Sequence, residues 1–204
     1  YIIINVTESK NDKFIPNNNI LILDEPSEIL THNHQLLCRS GFNGWKEKET
    51  FLKVFDHQHT LNNVRWQIDN IPQKIIKSDI LSNNSQYRIC SILSEKYSDH
   101  GHKLRVDFIK NIEKYFNDNI IDTYGRKNYH NFKYYKSPLP NDDKSIISTY
   151  KYYFQAENTL KYNYATEKIW EAILCECLCF YWGCPNLEQY IDKKSFVRLN
   201  LEDV

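Results

Sequence analysis

The chain has 204 residues, of which 41% are hydrophobic and 25% charged, and 26 basic side chains balance 26 acidic ones. This composition is ordinary for a soluble globular protein and excludes a largely disordered chain. The zero net charge argues against a protein whose main task is to neutralise a polyanion, although it permits local basic patches. The length allows one large domain or two small ones.

Two apolar runs near the start of the chain, residues 1–6 and 20–23, predict buried strands. The second run ends at Asp24, Glu25 and Pro26. A carboxylate at the C-terminal end of a strand in an open α/β sheet faces the crevice where ligands bind, so Glu25 is a candidate cleft residue. Its position alone favours a simpler interpretation, a solvated turn.

Residues 31–70 give mixed signals. The run 51–55 predicts a strand, and His57 and His59 follow it with a spacing that puts both rings on one face of an extended segment. A zinc site needs three or four ligands, so a polar loop is the favoured interpretation. Residues 73–86 carry scattered lysines and a Ser-Asn-Asn-Ser group, which predicts a linker between an N-terminal lobe, 1–72, and a C-terminal lobe, 87–204.

The C-terminal lobe begins with a predicted strand, 88–93, a helix, and a second strand, 120–124. This order is typical of a parallel nucleotide-binding lobe. The helix is predicted to bury one apolar stripe, which consists of Leu104, Phe108, Ile112 and Tyr115. Arg105 lies one residue off that stripe, and the pattern by itself predicts a solvated surface arginine.

Residues 128–136 interleave aromatic side chains with lysine and histidine. Such a segment suits single-stranded nucleic acid, because bases stack on rings and phosphates pair with cations. The whole chain is rich in Asn, Lys, Tyr and Ile, however, so a compositional bias explains the segment as well and no nucleic-acid partner is expected. Residues 142–150 predict a short helix that leads into the next strand.

The clearest supersecondary signal is a strand at 152–158, a polar loop and a helix that begins after Thr166. Thr166 is predicted to be the N-cap, and Lys168 lies in the first turn. Helix N-termini bind anions, and a lysine placed there is unfavourable for the helix itself. The pattern therefore predicts an anionic ligand, and Glu167 beside the lysine has the acceptors for a ribose diol.

Four of the six cysteines, Cys175, Cys177, Cys179 and Cys184, lie within ten residues of one another. No CxxC pair is present, so reduced, buried thiols are predicted rather than zinc ligands or disulfides. This cysteine usage favours a cytoplasmic protein. No apolar run is long enough for a transmembrane helix, so no membrane segment is expected in this chain.

Several motifs of the C-terminal lobe resemble one known family. Glu157 and Asn158, with residues 164–168 (Tyr-Ala-Thr-Glu-Lys), resemble the "EN … Y-x-TEK" signature of the family 10 glycosyltransferases, the α1,3/4-fucosyltransferases. Residues 101–108 and 180–186 are similar to further segments of that family, although Ala156 stands where most relatives have Phe. The resemblance implies an α/β, GT-B-like fold of two Rossmann-like lobes, with the donor-binding lobe C-terminal, a short N-terminal lobe and truncated C-terminal helices.

The resemblance also implies an activity, the inverting transfer of L-fucose, or a closely related sugar, from a GDP-sugar to a hydroxyl of an acceptor glycan. Glu25 would be the catalytic general base, and Arg105 and Lys168 would neutralise the leaving diphosphate. The other donor-binding residues that it implies are Glu157, Asn158, Tyr164, Thr166 and Glu167.

Two side-chain cations and a helix end already neutralise a diphosphate, so no metal is expected to be required and Mg²⁺ or Mn²⁺ would be at most stimulatory. An upstream anchor, if one has been removed, would instead imply the Golgi membrane. The alternative function, from a different class, is a non-catalytic module that binds glycan or nucleic acid on a degenerate transferase fold.

Overall fold

The computed structural model describes residues 87–139, 141 and 143–203, together with the backbone of three short strands nearer the N-terminus. The chain divides into two compact units, residues 1–63 with 161–164, and residues 64–160 with 165–204. The predicted lobe boundaries at 72 and 86 lie outside the described residues, as do Glu25, His57 and His59.

The first unit contains a parallel three-stranded sheet, β1 (Ile2–Ile4), β2 (Ile20–Ile22) and β3 (Lys53–Phe55), in that spatial order. Ile2 pairs with Ile20, and Ile20 pairs with Lys53. All three strands fall within the apolar runs that predicted them.

The second unit is built on six parallel strands with the spatial order β6-β5-β4-β7-β8-β9. The elements in chain order are β4 (Ile89–Ile92), α1 (His100–Tyr115), β5 (Ile121–Gly125), β6 (Tyr135–Pro138), β7 (Tyr152–Ala156), α2 (Glu167–Leu174), β8 (Leu178–Trp182) and β9 (Phe196–Arg198). All five residues of β5 are buried, which is typical of a parallel sheet that is covered on both faces. The predicted α/β class is confirmed.

The core of this unit lies between the sheet and α1. It contains mainly aliphatic and aromatic side chains from the strands, the helix and the last segment of the chain: Leu93, Val106, Ile109, Ile121, Phe132, Phe154, Ala156, Trp182 and Leu201. Burial of this apolar surface provides the main driving force for folding of the unit. Among the described residues, no helix has both the length and the apolar composition needed to cross a bilayer.

The face that α1 turns to the sheet differs from the predicted stripe. Tyr115 is 71% exposed, whereas Arg105 is only 6% exposed, so the pattern-based prediction of a solvated arginine was wrong. The N-terminus of α1 packs on the end of β7, where a Cβ at Gly101 would lie 1.9 Å from the Glu157 carbonyl oxygen. This close approach turns positions i, i+4 and i+8 from Gly101 inward, and Arg105 is the second of them.

Two further elements differ from the sequence-based predictions. Residues 135–138 form strand β6, although the aromatic and basic pattern there gave no strand prediction. The predicted helix at 142–150 is a 3-10 turn, Ser145–Thr149. Its serine and threonine hydroxyls donate to nearby backbone carbonyls, from Ser148 to Ser145 and from Thr149 to Ile146, and such local bonds compete with a regular α-helix.

Candidate active site

The strand order places a topological switch point between β4 and β7. From β4 the chain continues to β5 and β6 on one side, and from β7 it continues to β8 and β9 on the other. Ligands of open α/β sheets bind in the crevice outside the carboxyl ends of the strands at such a point. Gln155 Nε2 donates to the Ile92 carbonyl oxygen over 2.8 Å and Ser91 Oγ donates to that of Phe154 over 3.1 Å, so side chains fix these two strands together.

Arg105 lies at this switch point because α1 begins there. The Gly101 N–H donates to the Asn158 carbonyl oxygen over 3.0 Å, which ties the first turn of α1 to the residues that follow β7. One turn later, Arg105 Nη1 donates to the Ala156 carbonyl oxygen over 3.1 Å. A buried guanidinium has therefore been placed beside the last residue of β7.

Glu157 follows directly and is fully buried, with 0% exposure. Its Oε1 accepts the Thr166 N–H over 2.8 Å and the Tyr181 hydroxyl over 3.1 Å, and its Oε2 accepts the Thr166 hydroxyl over 2.7 Å. Gly183 packs on this side chain with φ +152°, and a Cβ there would lie 2.4 Å from Glu157 Cγ. The carboxylate thus fixes the start of α2 against the ends of β7 and β8.

Lys168 supplies the counter-charge to Glu157. It is 9% exposed, and its Nζ lies 3.2 Å from Glu157 Oε2 and 3.2 Å from Glu167 Oε1, and donates to Thr166 Oγ1 over 2.8 Å. Burial disfavours the charged form, but the two carboxylates outweigh that effect and raise the pKa of Lys168 above its ordinary value. Thr166 is the N-cap residue, as predicted, but its side chain makes no capping hydrogen bond to the helix backbone. Its hydroxyl donates to Glu157 and accepts from Lys168 instead.

The two basic side chains of the site therefore contact consecutive residues of one strand end. Arg105 bonds to Ala156 and Lys168 pairs with Glu157. They are close enough that charge repulsion from Arg105 opposes protonation of Lys168. The sequence pattern explained a lysine in the first turn of α2 by an anionic ligand. The two carboxylates beside Lys168 explain the same lysine without a ligand, so its position alone is not evidence for one.

Glu167 is the partly exposed member of the group, because 21% of its side chain remains exposed. Burial alone would raise the pKa of this carboxyl, but the ammonium groups of Lys168 and Lys144 lower it to about 2. Glu167 is therefore a carboxylate at neutral pH, and an ionised carboxylate accepts hydrogen bonds only. Its role as the acceptor for a ribose diol stays a prediction.

The remaining predicted donor-site residues are Asn158, which is partly buried, and Tyr164, which is 0% exposed. Direct contact of any of the seven predicted donor-binding residues with a donor stays a prediction. The described cysteines, Cys90, Cys175, Cys177, Cys179 and Cys184, are buried and in the reduced thiol form. No group of three His, Cys, Asp or Glu side chains that could hold a metal occurs in the part of the chain that the structure describes.

Sequence reasoning missed Lys144, Glu171, Tyr181 and Gly183 as members of the site. One signal was available, because Glu167 and Glu171 stand four residues apart on α2. Like charges at that spacing lie on one helix face and repel, so a basic side chain from another element is expected near them. Lys144 is that cation, at 3.0 Å from Glu171 and 3.7 Å from Glu167.

His102 gives a pH-dependent stability prediction. It is 1% exposed, and burial, helped by the positive charges of Arg105, Lys96 and Lys168, lowers its pKa to about 4 against the opposing effect of Asp99. The unfolded state, with an ordinary pKa of 6.5, then binds more protons between pH 6.5 and 4. The contribution of neutral His102 to the free energy of unfolding is therefore fully present above about pH 6.5 and is lost on acidification. The loss reaches about 3 kcal/mol at pH 4, since each pKa unit is worth about 1.4 kcal/mol.

Urea unfolding at pH 7 and pH 4.5 checks this prediction. His102→Gln should lose clearly less stability between the two pH values than the unsubstituted protein, whatever the variant's stability at pH 7. An equal loss in both proteins would contradict the assignment of this titration to His102.

Comparison with known proteins identifies the family of this chain and relatives that share its fold. Residues 82–201, more than half of the chain, match the family described as glycosyltransferase family 10 (fucosyltransferase) C-term. The α-(1,3)-fucosyltransferase FucT of Helicobacter pylori is 39% identical over 55 residues, which are 27% of this chain and 12% of that protein.

Two solved structures show the same fold. A crystal structure of an α1,3-fucosyltransferase with GDP-fucose has a TM-score of 0.50 at 16% identity, over 99% of this chain and 59% of that one. Another, with GDP, has a TM-score of 0.50 at 17% identity, over 94% and 61%. The chain thus spans about three fifths of these structures. They confirm the predicted GT-B-like fold class, and the family match shows that this chain belongs to glycosyltransferase family 10, the fucosyltransferases.

Proposed function

We propose that the protein transfers L-fucose, or a closely related sugar, from a GDP-sugar to a hydroxyl of an acceptor glycan, with inversion at the anomeric carbon. The observation that carries the proposal is the placement of two buried basic side chains on consecutive residues at the switch point, Arg105 on Ala156 and Lys168 on Glu157. This crevice is where an α/β lobe binds a nucleotide, and the family match concerns this lobe.

In this proposal, the two cations serve the leaving group. Breaking the bond between the sugar and its diphosphate leaves negative charge on the β-phosphate, and preorganised cations in a site with little water stabilise that charge. The Arg105 guanidinium offers a fork suited to phosphate oxygens, and the Lys168 ammonium acts as a point charge.

Glu157 is a positioning residue in this scheme. Its carboxylate is fully buried and binds Thr166, Tyr181 and Lys168, so it orients the lysine and the first turn of α2. Glu167, partly exposed and ionised, is the acceptor that we assign to the ribose hydroxyls.

The base that activates the acceptor hydroxyl is proposed to be Glu25. Attack from the face opposite the leaving group in one displacement inverts the anomeric configuration, and the carboxylate takes the hydroxyl proton as the new bond forms. In this scheme Arg105 and Lys168 stabilise the charge on the diphosphate, and no step uses a metal.

A donor panel tests the proposed function. GDP-fucose, GDP-mannose, UDP-galactose and UDP-N-acetylglucosamine are each supplied with a mixture of β-galactoside and N-acetyllactosamine acceptors, with EDTA or with Mn²⁺. Nucleotide release and glycan mass are measured. GDP-fucose should give product that is heavier by one deoxyhexose, in EDTA as well as in Mn²⁺.

Binding of GDP-fucose by calorimetry without any transfer would indicate the non-catalytic alternative. The absence of both binding and transfer for every GDP-sugar would contradict the proposal. Preference for a UDP-sugar would contradict the donor assignment, and dependence on Mn²⁺ would contradict the metal-independent scheme.

A further inference from the structure

Lys144 connects two carboxylates of α2. Its Nζ donates to both oxygens of Glu171, over 3.2 and 3.0 Å, and lies 3.7 Å from Glu167 Oε1. Glu171 is 0% exposed, the Lys144 side chain is 12% exposed and the Glu167 side chain is 21% exposed. The ion pairs therefore run from a fully buried carboxylate, through one ammonium, to a carboxylate at the accessible edge of the site.

The position of Lys144 is fixed by the turn that follows it. Asp143 Oδ1 accepts the Ser145 N–H over 2.9 Å, and its Oδ2 accepts the Ser145 hydroxyl over 2.9 Å. The turn is also packed against the interior of the unit, because Ile147 is 0% exposed and its carbonyl oxygen accepts from Cys177 Sγ over 3.3 Å. These hydrogen bonds hold the backbone next to Lys144 against the core of the unit.

A purely structural ion pair would be complete with Glu171. Lys144 in addition shares Glu167 Oε1 with Lys168, which lies 3.2 Å from the same oxygen. Two ammonium groups, one on α2 and one from the segment before the 3-10 turn, therefore pair with the same carboxylate oxygen of Glu167. A side chain held in this way loses rotamer freedom before a ligand arrives, which lowers the entropic cost of binding.

We propose that Lys144, itself oriented by Glu171, is a positioning residue that fixes the Glu167 carboxylate for recognition of the ribose hydroxyls of a guanosine diphosphate donor. This inference rests on the proposed function, because it concerns how the same site selects its nucleotide. Lys144 touches no substrate in this scheme and acts through Glu167.

The test compares GDP with 2′-deoxy-GDP, which lacks one of the two hydroxyls, by titration calorimetry on the full chain. The unsubstituted protein should bind GDP about tenfold more tightly, because a hydrogen bond to a charged group contributes that much. In Lys144→Met this preference should fall to about twofold or less, chiefly through weaker GDP binding. Lys110→Met, which removes an exposed ammonium from α1, is the matched control and should retain the preference.

A double variant separates positioning from stability. Lys144→Met leaves the buried Glu171 carboxylate without its ammonium partner and should lower the melting temperature. Lys144→Met with Glu171→Leu replaces the ion pair by an apolar pair, so it should regain melting temperature without regaining the preference for GDP. Lys144→Arg keeps the charge and should retain most of the preference.

Several outcomes would overturn the inference. They are an unchanged preference in Lys144→Met, a preference that returns with stability in the double variant, or equal binding of GDP and 2′-deoxy-GDP by the unsubstituted protein. The first two outcomes leave the proposed function unaffected. Equal binding of the two nucleotides would also remove the ribose role assigned to Glu167, but it would not contradict sugar transfer as long as GDP is bound. Failure to bind GDP at all contradicts the proposed function itself. If Lys144→Met does not fold, Lys144→Gln replaces it, and its preference for GDP over 2′-deoxy-GDP should likewise fall to about twofold or less.

Discussion

Replacing Lys168 by methionine is expected to lower kcat for transfer from GDP-fucose by about a hundredfold to a thousandfold. The variant removes an ammonium that, in the proposed mechanism, meets charge developing on the leaving diphosphate, and the loss of one such preorganised group costs about 3–4 kcal/mol of transition-state stabilisation. Methionine keeps the length and most of the volume of the side chain. Binding of GDP should weaken less than kcat falls, since the charge on the β-phosphate grows during the reaction.

Stability has to be separated from catalysis in this experiment. Lys168 is the ion-pair partner of Glu157, which is fully buried, and removing one partner of a buried pair costs about 3–5 kcal/mol. The double variant Lys168→Met with Glu157→Gln removes both charges and should regain part of that loss in urea unfolding. If its kcat returned along with its stability, the lysine would be a structural residue and the proposed leaving-group role would fail.

Replacing Glu25 by glutamine is expected to abolish measurable transfer, by about a thousandfold or more, with little change in the affinity for GDP. Glutamine has the size of the original side chain but cannot take a proton, and positioned general bases contribute about a hundredfold to ten-thousandfold. Because the proposed base serves the acceptor hydroxyl and not the diphosphate, donor binding should survive.

Asp24→Asn is the matched control for Glu25→Gln, because it neutralises the adjacent carboxylate. Steady-state transfer and calorimetric binding of GDP are measured for both variants. A Glu25→Gln protein that transfers at the unsubstituted rate, or an Asp24→Asn protein that shows the larger loss, would contradict the assignment of the base.

Much of the C-terminal lobe could be predicted because its signals are local. Strands were predicted at 88–93, 120–124 and 152–158 and a helix start after Thr166, and the structure has all four elements. Strand and cap preferences depend on neighbours in the chain, so they can be recognised in the sequence. The family could also be recognised, because the Glu-Asn and Tyr-x-Thr-Glu-Lys motifs are short, contiguous stretches of sequence.

Burial at the site could not be predicted, because it depends on contacts between distant segments. Arg105 looked like a surface residue until the contact of Gly101 with Asn158 determined which side of α1 faces the sheet. Lys168 looked like an anion-binding residue without a partner, yet Glu157, eleven positions earlier, provides its counter-charge.

The sequence by itself determined the α/β class, the family and which two cations to examine. Local periodicity encodes the class, short motifs encode the family, and the resemblance to that family points to Arg105 and Lys168. Only the tertiary structure decided that these cations contact adjacent residues of one strand end, and that Lys144 and Glu171 extend the network to Glu167. The reason is physical. Charged side chains can be buried only where an opposite charge or a hydrogen-bond acceptor meets them, and here those partners come from segments that only the parallel sheet brings together.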